Sequence, residues 1–456
     1  MNHDSSQLHR GLKNRHIQLI AMGGAIGTGL FLGSAHVIQS AGPSIILGYA
    51  IGGFIVFLIM RQLGEMIVHE PVAGSFSHFA HKYWGKFPGF LTGWNYWILY
   101  ILVAMTELTA VAKYINYWWP DIPNWISVLF FFVLITLVNL ANVKFYGESE
   151  FWLSIIKVTA IVTMIVFGVY LVFTAAPDTN IAFSNLWTHG GFFPNGFHGL
   201  FYMLAFLMFG FGGIELVGMA AAEAKDPAKT IPKAINQVVP RILIFYVGSM
   251  VVLLSLVPWN QLNLGGLDKS PFVMVFSLIG IAWAAHLVNF IILTAALSVY
   301  NSGMYANSRM LYGLAMQGNA PKIFSKTNRQ GVPMPAVLFS ALLILSCVPL
   351  NYFAPKAALN HLMYIVVGAL VLNWLMITLT HLKFKRALKL TQQNSLYPAL
   401  WAPFGNYIVI IFIAAVLYIM WIQGYKESVL MIPIWITLML VLFDLLNPKE
   451  IVKEEK

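Results

Sequence analysis

Long apolar runs recur along the whole chain, separated by short polar segments that mostly contain proline or glycine. A run of about 20 apolar residues is long enough to cross a bilayer as a helix, and the runs predict twelve such helices. Their predicted bounds are 17–39, 44–66, 88–116, 123–142, 151–174, 196–220, 241–258, 274–306, 335–351, 360–381, 403–424 and 429–446. Since no polar segment is long enough to separate domains, we predict an all-α integral membrane protein with one polytopic domain over 1–456.

The first predicted span is interrupted by four glycines in the seven residues 23–29. Each glycine disfavours a helix by roughly 1 kcal/mol relative to alanine, and a broken helix in a membrane is tolerated only where it is buried or lines a cavity. Free N–H groups at such a break can bind a carboxylate and free carbonyls can bind an ammonium group. The pattern therefore favours a site for the two ends of a free amino acid. The alternative is a glycine face for close helix packing.

The sixth predicted span contains a second glycine cluster, in Phe209–Glu215. Paired interruptions at corresponding places in two halves indicate an inverted repeat with its binding site at the membrane midplane. We predict a first five-helix repeat over 17–174 and a second over 196–381. Helices 11 and 12, in 403–446, lie outside the repeat.

Composition and charge support the membrane assignment and orient the chain. Hydrophobic residues make up 59% of the sequence and charged residues 10%, which is too apolar for a soluble domain. Most of the 27 Lys and Arg residues fall on one predicted side of the membrane. The exceptions are Lys113, Lys269, Lys356 and Lys426 on the other side and Lys157 within a span. By the positive-inside rule, the N-terminal segment 1–16 and the tail 447–456 are predicted to be cytoplasmic.

Three charged residues inside predicted spans require an explanation, because an unpaired charge at the bilayer centre costs at least ~2.5 kcal/mol. Burial disfavours the charged form of Lys157, so it is a candidate proton carrier; the alternative is a lysine that snorkels to the interface. Glu107 either lines a substrate route and titrates or makes a structural hydrogen bond. Glu215 directly follows the second glycine cluster, where a carboxylate would cap free N–H groups in a structural or gating role.

Other chemistry has little support in the sequence. The histidines show no metal-ligand spacing and Cys347 is the single cysteine, so we predict no metal site and no cofactor. No nucleophile elbow, P-loop or dinucleotide fingerprint is present, which argues against an enzyme. A membrane channel would need a continuous polar stripe and a sensor would need a signalling domain, and neither is evident. The basic net charge follows from the membrane topology, so no nucleic-acid partner is expected.

Several motifs are similar to those of the amino acid–polyamine–organocation superfamily. The resemblance is strongest to its bacterial aromatic amino acid permeases and the related phenylalanine permease, and it covers nearly the whole chain, weakening after about residue 335. The motifs are Gly-Ala-Ile-Gly-Thr-Gly at 24–29, Phe209–Glu215, Glu-Ala-Lys-Asp-Pro at 223–227, Met-Arg-Gln-Leu-Gly-Glu-Met at 60–66 and Gly-Trp-Asn-Tyr-Trp at 93–97. This resemblance implies a LeuT-type fold with a five-plus-five inverted repeat, broken helices 1 and 6 and two added helices.

The same resemblance assigns roles to individual residues. It places the substrate carboxylate at the backbone of Gly27, Thr28 and Gly29, and the substrate ammonium at carbonyls of Ala25, Ile26, Phe209 and Gly212. It places Tyr100, Ala104 and Glu107 along the side-chain pocket, together with the gating aromatic Phe209. It gives proton coupling to Lys157, with Glu107 and Ser298 as alternatives. A ring stacked among Tyr100, Phe209 and Phe211 would suit an aromatic substrate.

Together these observations predict a proton-coupled importer of aromatic amino acids that works by alternating access in a bacterial cytoplasmic membrane. Its expected partners are the amino acid, the coupling proton and the lipid bilayer. A monomer is expected, with a dimer as the alternative. The rival substrates are histidine, proline or a basic amino acid, which Glu107 would suit, and the rival mechanism is exchange without protons.

Overall fold

The computed structural model describes residues 26–72, 75–141, 143–176, 179–220, 227–262, 270–355 and 358–446. Within these ranges the chain is helical and contains no β-strand. The helices of the first half are α1 (Thr28–Phe31), α2 (Gly33–Ala41), α3 (Ile45–His69), α4 (Ser75–Tyr83), α5 (Lys86–Asn116), α6 (Asn124–Ala141), α7 (Val143–Thr174) and α8 (Asn185–Thr188).

The second half continues in the same way. Its helices are α9 (Gly196–Leu207), α10 (Leu216–Ala220), α11 (Pro227–Asn236), α12 (Val238–Arg241), α13 (Ser249–Leu256), α14 (Pro271–Leu278), α15 (Ala282–Met316), α16 (Met334–Ile344), α17 (Cys347–Phe353), α18 (Ala358–Leu390), α19 (Phe404–Ile422) and α20 (Lys426–Leu446). Short 3-10 turns lie at Gly42–Ser44, Met208–Phe211, Trp259–Gln261 and Lys322–Ser325, and a π-helical segment lies at Ile242–Gly248.

Eleven stretches of the described chain are long and apolar enough to span a membrane. One of them, Thr28–His69, includes parts of the two predicted spans 17–39 and 44–66, which the 3-10 turn Gly42–Ser44 separates. The predicted start of the span 274–306 is wrong: α14 ends at Leu278 and α15 begins at Ala282. Gly280, between them, has φ +83°, a conformation that interrupts a right-handed helix.

Large apolar side chains cover much of the outer surface. Phe173 is 85% exposed, Phe404 74% and Leu445 70%, and in the most apolar stretch of α20 only 6% of residues are buried. An exposed apolar surface this extensive is unstable in water and matches the hydrocarbon core of a bilayer. The multi-pass membrane assignment therefore rests on surface chemistry as well as on helix length.

Helix α5 lies at the centre of the structure, where it packs against α4, α15 and α18. It is enclosed on nearly all sides, since almost every residue from Gly89 to Ala112 is buried. A helix buried all round lies in the core of the protein, surrounded by other helices. Because the polar side chain of Glu107 lies on this central helix, it points into the protein interior, where it is 2% exposed.

In the described residues, each glycine cluster contains non-helical backbone directly before a helix. Gly27 is extended, with φ −141° and ψ −153°, and α1 begins at the next residue. After the 3-10 turn Met208–Phe211 the chain is extended at Gly212, and Gly213 has φ +99°, which an L side chain rarely adopts. Helix α10 then begins at Leu216. The residues before Ile26 lie outside the described part, so the structure gives only the second half of the first interrupted span.

Candidate substrate site

The two interruptions lie against each other. A Cβ atom added to Gly29 would lie 2.6 Å from Cα of Gly210 and 2.9 Å from the ring of Phe209. Contacts this short exclude any side chain at position 29, so the backbones of the two segments approach as closely as glycine allows. This pairing was predicted from sequence position alone, and it brings the polar groups of both segments to one place.

A narrow cavity opens between these segments and the central helix α5. It is lined by Gly27 and Gly29 from the first interruption, Phe209, Gly212, Gly213 and Glu215 from the second, Leu99, Tyr100, Val103 and Glu107 from α5, and Val299, Val366 and Leu370 from α15 and α18. Its wall therefore combines glycine backbone, two aromatic rings, two carboxyl groups and aliphatic side chains. Mostly apolar walls with a few convergent polar groups are typical of sites for small molecules.

The first N–H group of α1 already contacts a carboxyl group. The Thr28 backbone nitrogen lies 3.4 Å from each carboxyl oxygen of Glu107, and the Thr28 hydroxyl donates to Oε2 of Glu107 at 2.5 Å. Glu107 thus lies at the position where the resemblance places a substrate carboxylate. Glu107 therefore both lines the cavity and bonds to a predicted binding residue, so the two alternatives for this residue stay predictions.

Lys157 does not snorkel to the membrane surface. Its side chain is fully buried, and its ammonium group donates to the Ile26 carbonyl at 3.2 Å and to the Ser298 hydroxyl at 2.8 Å. The lysine therefore connects the backbone beside the first interruption to α15. Charged donors of this kind form stronger hydrogen bonds than neutral ones, so the position of the Ile26 carbonyl depends on Lys157.

Comparison with known proteins gives the family. The family model for amino acid permeases matches residues 16–445. The chain belongs to the amino acid permease family. Aromatic amino acid transport protein AroP of Escherichia coli strain K12 is 60% identical over 431 residues, which cover 94% of each chain.

Two further relatives agree with this assignment. Aromatic amino acid transport protein AroP of Salmonella typhimurium strain LT2 is 59% identical over 436 residues, 95% of this chain and 94% of that relative. Uncharacterized amino acid permease YtnA of Bacillus subtilis strain 168 is 43% identical over 447 residues, 97% of this chain and 96% of that relative. The predicted relationship is confirmed, and so is the expectation of a membrane transport protein rather than an enzyme.

Seven of the predicted site residues line the cavity: Gly27, Gly29, Tyr100, Glu107, Phe209, Gly212 and Glu215. Two predicted pocket residues, Phe211 and Ala104, do not. Phe211 instead packs on Tyr246, with ring centroids 4.9 Å apart, and on Tyr49 at 5.9 Å. A 3-10 turn rotates successive residues by about 120°, so Phe209 and Phe211 point in different directions. Ala104 is buried but lies at the edge of the α5 face that Tyr100, Val103 and Glu107 form.

The remaining predicted residues are distributed around this cavity. Glu215 lies directly before α10, and one of its carboxyl oxygens accepts a hydrogen bond from the Tyr100 hydroxyl at 3.3 Å, which connects the second interruption to α5. Ser298 contacts Lys157 behind the first interruption. Ala25 lies outside the described residues, so its predicted carbonyl contact stays a prediction.

The sequence analysis missed a buried acid that contacts Ser298. Glu150 on α7 is 0% exposed and accepts a hydrogen bond from Ser298 at 2.5 Å. It was overlooked because the predicted span begins at 151, which assigned Glu150 to the membrane surface. The sequence does indicate that Glu150 is buried, because it precedes Lys157 by seven residues and a helix places such residues on one face.

Replacement of Gly29 by alanine is expected to disrupt the permease far more than the same change at Gly210. The added methyl at position 29 would collide with the backbone of Gly210, whereas a Cβ at Gly210 meets nothing closer than 3.6 Å. Overpacking of this kind costs roughly 1–3 kcal/mol, here by separating the two interrupted segments. Amino acid uptake and thermal unfolding of both variants test this, and equal behaviour would contradict the close pairing.

Proposed function

We propose that this permease imports phenylalanine, tyrosine and tryptophan together with protons, by alternating access across a bacterial cytoplasmic membrane. The observation that carries the proposal is the meeting of the two helix interruptions beside Tyr100, Phe209 and Thr28. This arrangement offers separate groups for the two charged ends of an amino acid and rings for its side chain. The similarity to relatives named aromatic amino acid transport proteins supports the same substrate class.

The proposed substrate pose places the α-carboxylate at the N–H groups of Thr28 and its neighbours Gly27 and Gly29. The α-ammonium then faces carbonyls of Ala25, Ile26, Phe209 and Gly212. N–H groups at the start of a helix attract anions. A carbonyl oxygen has two lone pairs, so it can accept from an ammonium group in addition to a donor that it already has. Since both sets belong to the backbone, they select for the amino acid moiety and leave side-chain selection to the rest of the cavity.

An aromatic side chain fits the remaining cavity wall. The rings of Tyr100 and Phe209, with Leu99, Val103 and Leu370 around them, would hold a planar ring in an offset or edge-on arrangement. The cavity is expected to bind a basic side chain less well, because the Glu107 carboxyl group is hydrogen-bonded to Thr28. Apolar walls of this type discriminate modestly between similar rings, so the three aromatic amino acids are expected to compete.

Proton coupling is proposed to act through Lys157, with Glu107 and Ser298 as the alternatives, and no other cofactor is required. Lys157 contacts the Ile26 carbonyl, so gain or loss of its proton would change the backbone that faces the substrate. An exchanger without protons would have no need for a lysine fully buried at this point. Glu215 would serve as a gating or structural link through Tyr100.

The proposed architecture is a single polytopic domain with twelve transmembrane helices and a LeuT-type five-plus-five inverted repeat. The first repeat occupies 17–174 and the second 196–381, followed by two further helices in 403–446. An inverted repeat of this kind brings its two interrupted helices together at one cavity. Cytoplasmic termini follow from the distribution of Lys and Arg, and a monomer is expected, with a dimer as the alternative.

Uptake of labelled phenylalanine into liposomes that contain the purified protein tests this function. With the external solution more acidic than the interior, we expect accumulation that a protonophore abolishes. Excess tyrosine or tryptophan should block uptake, whereas proline, histidine and lysine should not. Accumulation that ignores the pH gradient would refute proton coupling, and failure of the aromatic competitors would refute the substrate assignment.

A further inference from the structure

Three fully buried side chains form a continuous hydrogen-bonded chain behind the substrate cavity. The ammonium group of Lys157 donates to the hydroxyl of Ser298 at 2.8 Å, and that hydroxyl donates to Oε1 of Glu150 at 2.5 Å. Each of the three residues has 0% exposure. A hydroxyl that accepts from a cation and donates to a carboxylate is the arrangement through which a proton moves without displacement of heavy atoms.

The hydrogen-bonded chain from Lys157 to Glu150 has a direction in the membrane. Glu150 and Lys157 both lie on α7, and their separation of seven positions corresponds to about 10 Å along the helix axis. Glu150 is nearer to the start of α7 at Val143, and the adjacent Lys144 belongs to the side that the charge distribution assigns to the cytoplasm. The hydrogen-bonded chain therefore leads from the Ile26 carbonyl beside the cavity toward the cytoplasmic end of α7.

Glu150 is surrounded by donors that stabilise a carboxylate. Ser154 donates to Oε1 at 3.3 Å and Asn301 donates to Oε2 at 3.4 Å. Asn301 is held in turn by the amide of Asn139 at 2.8 Å. A buried carboxylate with several donors and a nearby ammonium group tolerates its charge, so it is available as a proton acceptor.

We propose that Glu150 is the proton acceptor for Lys157 and delivers the coupled proton toward the cytoplasm through Ser298. The Ser298 O–H bond breaks as its proton goes to Oε1 of Glu150, while an N–H bond of Lys157 breaks and that proton goes to Oγ of Ser298. An ammonium and a carboxylate become an amine and a carboxylic acid, and Ser298 is unchanged. Two other buried ionisable groups act on the charge of Lys157, namely Glu107, which bonds to Thr28, and Arg241. This inference rests on the proposed proton-coupled transport.

The transfer needs no reactant other than Lys157, Ser298 and Glu150. Two opposite charges disappear together, which lowers the cost of holding them in a low-dielectric interior. The neutral Lys157 then holds the Ile26 carbonyl less strongly than the ammonium did. Release of the proton from Glu150 to the cytoplasm returns the carboxylate, and Lys157 regains its ammonium form by taking a proton from the external solution before the next cycle.

Ser298→Ala tests the relay because it removes the connecting hydroxyl and leaves both ionisable groups. Two assays are compared: accumulation of labelled phenylalanine driven by a pH gradient, and counterflow exchange of labelled for unlabelled phenylalanine, which needs no net proton movement. Because a positioned proton-transfer group typically contributes a factor of about 100 or more, we expect gradient-driven uptake to fall at least tenfold. Counterflow should stay close to that of the natural protein, and Glu150→Gln should show the same separation.

Ser249→Ala is the matched control, since Ser249 is also fully buried but bonds to carbonyls of its own chain segment, Phe245 and Tyr246. It should retain both activities. Full gradient-driven uptake in Ser298→Ala or Glu150→Gln would overturn the relay. An equal loss of uptake and counterflow would also overturn it, because the hydroxyl would then support the site's structure. If the unmodified protein itself ignores the pH gradient, the proposed function fails instead.

Discussion

Lys157→Met is expected to abolish uptake driven by a pH gradient. Methionine has a similar length and packs in the same space, but it cannot donate to the Ile26 carbonyl or the Ser298 hydroxyl, which Lys157 contacts at 3.2 and 2.8 Å. Hydrogen bonds from a charged group contribute about 1.5–3 kcal/mol each, so the loss of both corresponds to a factor of roughly a hundred or more. Gradient-driven phenylalanine uptake in liposomes measures the effect.

Lys157→Arg separates the charge of this residue from its proton. A guanidinium group keeps the positive charge but is not deprotonated in proteins. We therefore expect this variant to bind phenylalanine, as measured by thermal stabilisation, yet fail to accumulate it under a pH gradient. If Lys157→Arg accumulates substrate as the natural protein does, Lys157 contributes only its charge and the proton is carried elsewhere.

The helical membrane fold and the paired interruptions could be predicted from the sequence because each has a local cause. Apolar run length sets the spans, and four glycines in residues 23–29 interrupt one of them wherever it lies in the molecule. The error at Gly280 has a different origin. A single glycine in an apolar run is compatible with a helix, and only the left-handed conformation at +83° shows that this one ends it.

The arrangement of side chains at the site was less accessible because it depends on contacts between distant parts of the chain. Sequence indicates that Glu107 is buried in a central span, but its hydrogen bond to Thr28 joins residues 79 positions apart. The orientation of Phe211 follows from a 3-10 turn that no local pattern predicts. Glu150 was missed since a boundary error of one residue is enough to move a charge from the interior to the surface.

The Glu107 contact predicts how substrate affinity depends on pH. A substrate carboxylate that approaches the Thr28 N–H meets the Glu107 carboxyl group already there, with both of its oxygens 3.4 Å from the nitrogen. Two carboxylates about 4 Å apart repel by a few kcal/mol even at an effective dielectric constant of 20. Protonation of Glu107 removes this repulsion, so phenylalanine should bind more tightly as the pH falls, by up to about tenfold per pH unit.

Glu107→Gln is expected to remove this pH dependence. Glutamine keeps the size of the side chain and an oxygen that accepts from the Thr28 hydroxyl, but it has no charge, so affinity should stay near its low-pH value throughout. Glu215→Gln is the comparison, because it removes a carboxyl group from the same cavity that bonds to Tyr100 instead of Thr28. Titration calorimetry of phenylalanine binding to each variant between pH 5 and 8 tests whether the pH dependence is lost. A Glu107→Gln variant whose affinity still rises at low pH would show that another group competes with the substrate carboxylate.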